Sequence, residues 1–190
     1  PDKGYCGVQA CHIDPRPLNE GLAVVPAAIQ AVWAENVRFE NCIFKNLGGS
    51  GLWFSTGCKS CCVESSVFTD ISGNGIMVGE GQDRLVNGKP WWESAPEQVA
   101  LGNKIENCRV TECGSQFFGA VGIWCGLTAE ISIIGNEVFN LPYSGISVGW
   151  MWSPVATPCR DNMIEGNHIH HIMNILSDGG GIYMLGLQPG

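Results

Sequence analysis

The chain has 190 residues, 26 of them glycine, and its 10 Lys plus Arg against 18 Asp plus Glu give a formal net charge of -8. That length suits one domain, and a charged fraction of only 15% beside Ile-, Val-, Leu- and Phe-rich runs excludes long surface helices and disorder. The acidic balance excludes a nucleic-acid partner, which would need a phosphate-neutralising face, and no apolar run reaches the ~18–20 residues of a membrane span.

The chain starts at Pro1 without a signal-peptide pattern and stops at Gly190 directly after a strand-like run, so it is expected to be the central part of a longer secreted chain. From about Ala28 to Val32 onward a repeat sets in. Asn41-Cys42-Ile43-Phe44, Ser65-Ser66-Val67-Phe68, Asn107-Cys108-Arg109-Val110, Asn136-Glu137-Val138-Phe139 and Asn167-His168-Ile169-His170 are variants of one segment, recurring every 24 to 42 residues. Each is followed by a strand that opens with glycine: Gly51, Gly75, Gly122, Gly145 and Gly181. A unit of two strands and two turns at this period predicts an all-β fold, a right-handed parallel β-helix in one domain over 1–190. Asn41, Asn107, Asn136 and Asn167 are expected to form a structural ladder of turn amides.

Period-2 alternation sends Leu52 and Phe54, Ile76 and Val78, Ile123 and Cys125, Ile146 and Val148, and Ile182 and Met184 into the core. The residues between them form an outward column: Trp53, Met77, Trp124, Ser147 and Tyr183, with Gln30 below. Exposed aromatics in a column make a platform for sugar rings, unless loops fold over and bury it. Two stretches break the period, Gly79 to Gly102 with Trp91-Trp92, and Ser153 to Asp161 with Pro154 and Pro158. Both read as excursions whose Trp residues either wall a cleft or pack down on the stack. Trp150 and Trp152 are expected as subsite walls, with Tyr143 beside them.

Ten cysteines in this length point first to an oxidising compartment and some disulfide bonding, with reduced cysteines as small core residues the alternative. In His168-Ile169-His170-His171, His168 and His170 share a strand face, which allows either a two-His metal site or a hydrogen bond to a sugar hydroxyl. They are assigned to substrate; no metal and no cofactor is expected. Asp178-Gly179-Gly180-Gly181-Ile182-Tyr183 places an acid where the following glycines let the backbone approach a ligand. Glycoside hydrolysis needs two carboxyl groups, and the local partners Glu165, Glu137 and Asp161 do not stand beside the outward column.

Gln9-Ala10, Pro26-Ala27-Ala28-Ile29, Asn36 to Cys42, Leu141 to Trp150 and Ser177 to Tyr183 resemble the secreted parallel β-helix proteins of glycoside hydrolase family 141, over nearly the whole chain. That resemblance implies the pectin-lyase-like solenoid and a polysaccharide or oligosaccharide substrate, of α-L-fucoside or xylan type. It implies that Asp178 is one of two catalytic acids, the other lying in a Gly-Ile-Tyr-x-Asp-Glu-Gly type segment about two coils later, beyond Gly190, so that this piece alone is inactive. The other readings are a polysaccharide lyase, which needs Lys or Arg and often Ca2+ near the outward column, and a non-catalytic structural or adhesive solenoid.

Overall fold

A computed structural model describes residues 3–12, 22–81 and 84–189; Pro1, Gly190 and residues 82–83 of the first excursion lie outside them. The fold is all-β with parallel sheets. In chain order the strands are β1 (Ala27–Ala31), β2 (Arg38–Glu40), β3 (Ile43–Leu47), β4 (Ser50–Phe54), β5 (Cys62–Glu64), β6 (Val67–Ile71) and β7 (Ile76–Val78). After the first excursion, with β8 (Leu85–Val86), β9 (Lys89–Pro90) and helix α1 (Trp91–Ser94), come β10 (Ala100–Leu101), β11 (Lys104–Glu106), β12 (Arg109–Thr111), β13 (Ile123–Cys125) and β14 (Thr128–Ala129). The last are β15 (Ser132–Ile134), β16 (Glu137–Phe139), β17 (Ile146–Val148), β18 (Met163–Glu165), β19 (His168–His170) and β20 (Ile182–Met184).

Three parallel sheets carry the architecture, ordered β1-β4-β7-β13-β17-β20, β2-β5-β11-β15-β18 and β3-β6-β12-β16-β19. The chain visits them in rotation, and each strand pairs with its counterpart from the previous pass. The repeat therefore holds three strands, not the two expected. The β2 sheet escapes a period-2 reading because its strands are three residues long with one inward apolar residue each: Phe39, Val63, Ile105, Ile133 and Ile164, aligned in register. A signal was nonetheless present. Each of these precedes the inward residue of the β3 sheet by five positions, in the pairs 39 and 44, 63 and 68, 105 and 110, 133 and 138, and 164 and 169.

The inward residues of the three sheets form one core, in which Phe44 lies parallel on Phe68 with ring centroids 4.5 Å apart. Leu52, Phe54, Ile76, Val78, Ile123, Cys125, Ile146 and Val148 take the inward positions the alternation assigns them. Met184 does not become buried: it is 60% exposed, because β20 is the edge strand of its sheet among the described residues and no further layer covers it. The glycines that open these strands are needed for contact between passes. A Cβ on Gly75 would stand 2.6 Å from the carbonyl oxygen of Gly122, and one on Gly122 2.9 Å from that of Gly145.

Three bends per pass turn the chain from sheet to sheet, each through one residue in the left-handed region. Before the β2 sheet these are Asn36, Ser60, Gly102, Glu130 and Asp161; between the β2 and β3 sheets, Asn41, Ser65, Asn107, Gly135 and Gly166; after the β3 sheet, Asn46, Asp70, Glu112, Asn140 and His171. The expected asparagine ladder is thereby split by one position. Asn41 and Asn107 are bend residues, whereas Asn136 and Asn167 occupy the next position, beside Cys42, Ser66 and Cys108. There the ladder is real: Asn136 Oδ1 accepts from the Cys108 N–H at 2.9 Å, and Asn167 Oδ1 from the Asn136 N–H at 2.9 Å.

The expected disulfide bonding is not found: all ten cysteines are free thiols, nine of them buried. They sit where the repeat needs a small apolar side chain, Cys125 among the inward residues and Cys108 in the amide ladder's place, where its thiol donates to the Glu106 carbonyl at 3.3 Å. Of the two readings open for Trp91 and Trp92, packing down is the one observed. They pack with Leu127, Ala129, Met151 and Cys159, and their indole N–H groups donate to the carbonyls of Gly81 and Ala156.

Candidate functional site

The outward column of the β1 sheet has the register that the alternation dictates. Gln30 pairs with Trp53, Trp53 with Met77, Met77 with Trp124, Trp124 with Ser147 and Ser147 with Tyr183. It is not, however, an open platform. Met77 and Trp124 are fully buried, Trp53 and Ser147 nearly so; Tyr183 keeps partial exposure, and Gln30 at the other end of the column is exposed. The cover is a second apolar cluster in which Ala10, Val121, Tyr143 and Trp150 pack on the column. Asn74 fastens it: its Nδ2 donates to the Ala10 carbonyl at 2.6 Å, and its Oδ1 accepts from the Val121 N–H at 2.8 Å. His12 completes the cover by stacking on Trp124.

Beside this cover a cavity of about 490 Å³ opens, walled by residues 7–9, residues 116–119, Tyr143 and residues 176–178. Asp178 is the one carboxylate among its described lining residues, and it is exposed. Its backbone is left-handed at φ 65, a conformation an aspartate tolerates better than most residues. Tyr143 holds it in place, since the buried phenol donates to the Asp178 carbonyl at 2.8 Å while Gln9 Nε2 reaches the same phenol oxygen at 3.4 Å. The triple glycine serves this approach: a Cβ on Gly179 would strike the Ser144 hydroxyl, which itself accepts from the Gly180 N–H at 3.2 Å. Tyr183 lies close enough that its phenol is pushed up, by burial first and then by the charges of Tyr143 and Asp178.

The structure thus brings Asp178, Tyr143 and Tyr183 together. Trp150 is fully buried against Trp124, ring centroids 6.1 Å apart, so it supports the wall from behind. Trp152 stacks edge-on against Trp150 and lines a separate depression of about 450 Å³ with Pro154 and Leu187. His168 and His170 stand on the other face of β19 from the inward Ile169, in a different sheet from the column, and do not line the cavity. Glu137 shares that face, whereas Asp161 is a bend residue and Glu165 lies in the β2 sheet. Phe117 and Phe118 line the cavity without any local pattern that marks them, and Gln9 lines it too, marked in the sequence only by the resemblance that Gln9-Ala10 helps to carry.

Where the cover meets the column, the Trp124 and Trp150 indole nitrogens and the Ser147 hydroxyl are buried without a hydrogen-bond partner. Such groups cost about 1–3 kcal/mol each, which marks this as the polar weak point of an otherwise apolar cover. Chemically, one exposed carboxylate can donate or accept a proton, or attack an electrophilic carbon. The opposing role in a two-carboxyl reaction falls to none of the other described residues that line the cavity.

No protein-family model matches the chain, and no curated protein does. Among solved structures, a glycoside hydrolase is similar to it at 32% identity with a TM-score of 0.79, over 94% of this chain. The aligned stretch is 32% of that protein, so the chain spans about a third of its length. Over that stretch the two share their fold.

Proposed function

We propose that the chain is part of a glycoside hydrolase that acts on a plant or algal polysaccharide, and that Asp178 is one of its two catalytic carboxyl groups. The supporting observation is the placement of Asp178. A left-handed backbone, clamped through its carbonyl by Tyr143, holds an exposed carboxylate at the edge of a cavity in a chain similar to a glycoside hydrolase. In this reading the three sheets wind as a right-handed parallel β-helix of the pectin-lyase type, in an extracellular protein. Tyr143 and Tyr183 position the sugar, and the second acid comes from elsewhere in the full-length protein. The substrate is of the α-L-fucoside or xylan type that the family 141 resemblance implies.

A lyase would need a cation to neutralise a uronate, and none of the described residues lining the cavity is Lys or Arg. In the hydrolase, Asp178 alternates between proton donor and proton acceptor, or forms the glycosyl bond itself, while its partner takes the complementary role. Asn tolerates the left-handed region as Asp does, so Asp178→Asn in the full-length protein removes charge and proton without moving the backbone. Turnover of α-L-fucosides and xylan should fall by about 10³-fold or more at unchanged stability, within about 1 kcal/mol. Near-normal turnover would make Asp178 a turn residue and the chain a non-catalytic solenoid segment.

A further inference from the structure

We infer that Glu137, His168 and His170 form a binding site for a borderline transition-metal dication of the Zn2+ type, on the outer face of the β3 sheet. His168 and His170 are two apart on β19 and share its outward face, and Glu137 on β16 is the direct cross-strand partner of His168. One ligand atom from each of the three lies within 4.8 Å of the others, and His170 Nε2 stands 3.4 Å from Glu137 Oε1. Tetrahedral Zn2+, with bonds of ~2.0–2.1 Å, holds its ligand atoms ~3.3 Å apart. The His170–Glu137 pair already has that spacing, and a small rotation of exposed His168 supplies the third ligand. Two imidazoles and one carboxylate select Zn2+ and its neighbours over Mg2+ or Ca2+, which take oxygen ligands.

The surroundings orient the ligands as metal sites require. Arg109 Nε holds the other carboxylate oxygen, Glu137 Oε2, at 3.2 Å, so Oε1 is the one left to face the histidines. His170 is fixed in its plane by Phe139, parallel at a centroid distance of 4.8 Å, and its ring stands 4.3 Å from that of His168. Its far nitrogen, Nδ1, is 2.7 Å from Nδ1 of His171. When His170 Nδ1–H donates to His171 Nδ1, the lone pair of His170 Nε2 points toward Glu137, which is the tautomer that binds a metal. His171 can do this because it is a bend residue with φ 48, which turns its side chain out of strand alternation. None of the three ligands is among the residues lining the Asp178 cavity, so the site stands or falls independently of the proposed hydrolase function.

The test is titration of metal-free full-length protein with ZnCl2, followed by calorimetry and thermal melting, with Co2+ as a spectroscopic substitute. Binding of one Zn2+ that raises the Tm is expected, with visible Co2+ bands of tetrahedral strength and no near-UV thiolate charge-transfer band. The double variant Glu137→Gln/His168→Ala should abolish both effects, and its metal-free melting should stay close to the parent's, because His168 is exposed and the Arg109–Glu137 ion pair is a solvent-exposed one. His171→Ala should retain the ligands but weaken binding by about 10- to 100-fold. No Zn2+ binding, binding of equal strength in the double variant, or a Co2+–thiolate band showing capture by cysteines would each overturn the assignment.

Discussion

His12 lies almost flat on Trp124, ring centroids 4.3 Å apart and planes 17° from parallel, although 112 residues separate them in sequence. That contact closes the aromatic column from solvent. His12→Ala should open it, with a loss of about 1–2 kcal/mol from the stacked pair and its buried area. Acrylamide quenching of tryptophan fluorescence should rise in the variant; unchanged quenching and unchanged stability would mean that the Gly4–His12 segment does not cover Trp124 in solution.

The glycine column predicts a sharp contrast between two glycine-to-alanine changes. A Cβ on Gly122 would meet Val138 Cγ1 at 2.7 Å, the Gly145 carbonyl oxygen at 2.9 Å and Leu141 Cδ1 at 3.0 Å, whereas Gly48 has nothing within 4 Å. Gly122→Ala should cost about 1–3 kcal/mol or more through forced separation of neighbouring passes, and Gly48→Ala should stay within about 0.5 kcal/mol of the parent. Urea unfolding of both variants measures the difference.

Ser147 buries a hydroxyl without a partner between Trp124 and Tyr183. Ser147→Ala removes the unpaired group at nearly constant volume, so stability should be unchanged or rise by about 1 kcal/mol. A loss of more than 1 kcal/mol on denaturant unfolding would show that the hydroxyl is satisfied.

The buried thiols set the alkaline limit of the fold. Burial pushes Cys113, Cys125 and Cys11 strongly upward, and Cys108 up to about 11. A thiol ionises by losing a proton, so a raised native pKa means that the native state holds the proton where the unfolded chain has released it. The resulting stability is complete below the unfolded value of about 8.5 and is lost progressively as pH rises from there through the folded value. Unfolding free energy should therefore fall between pH 8.5 and 11, and Cys113→Ala should make that fall shallower by about 1.4 kcal/mol per pH unit. An unchanged slope in the variant would mean that Cys113 is already ionised or bonded.

The all-β class, the inward and outward sets of the glycine-led strands and the column from Trp53 to Tyr183 were legible in the sequence. Each follows from a local rule, the two-residue alternation of a strand, applied to segments that repeat. The amide ladder was legible only to within one position, because Asn suits both the left-handed bend at Asn41 and the adjacent inward place of Asn136. The β2 sheet was written in the sequence as a constant spacing of five, but a single apolar residue per strand carries no period of its own. What only the tertiary structure decided is which faces meet water. Trp124 is buried because His12 and the Ala10 segment, tied down by Asn74, fold over it, and Asp178 lines a cavity because Tyr143 grips its carbonyl. These partners lie from 35 to 114 residues apart. Side-chain alternation fixes the direction in which a residue points, whereas burial depends on what else arrives there, and long-range packing leaves no periodic mark along the chain.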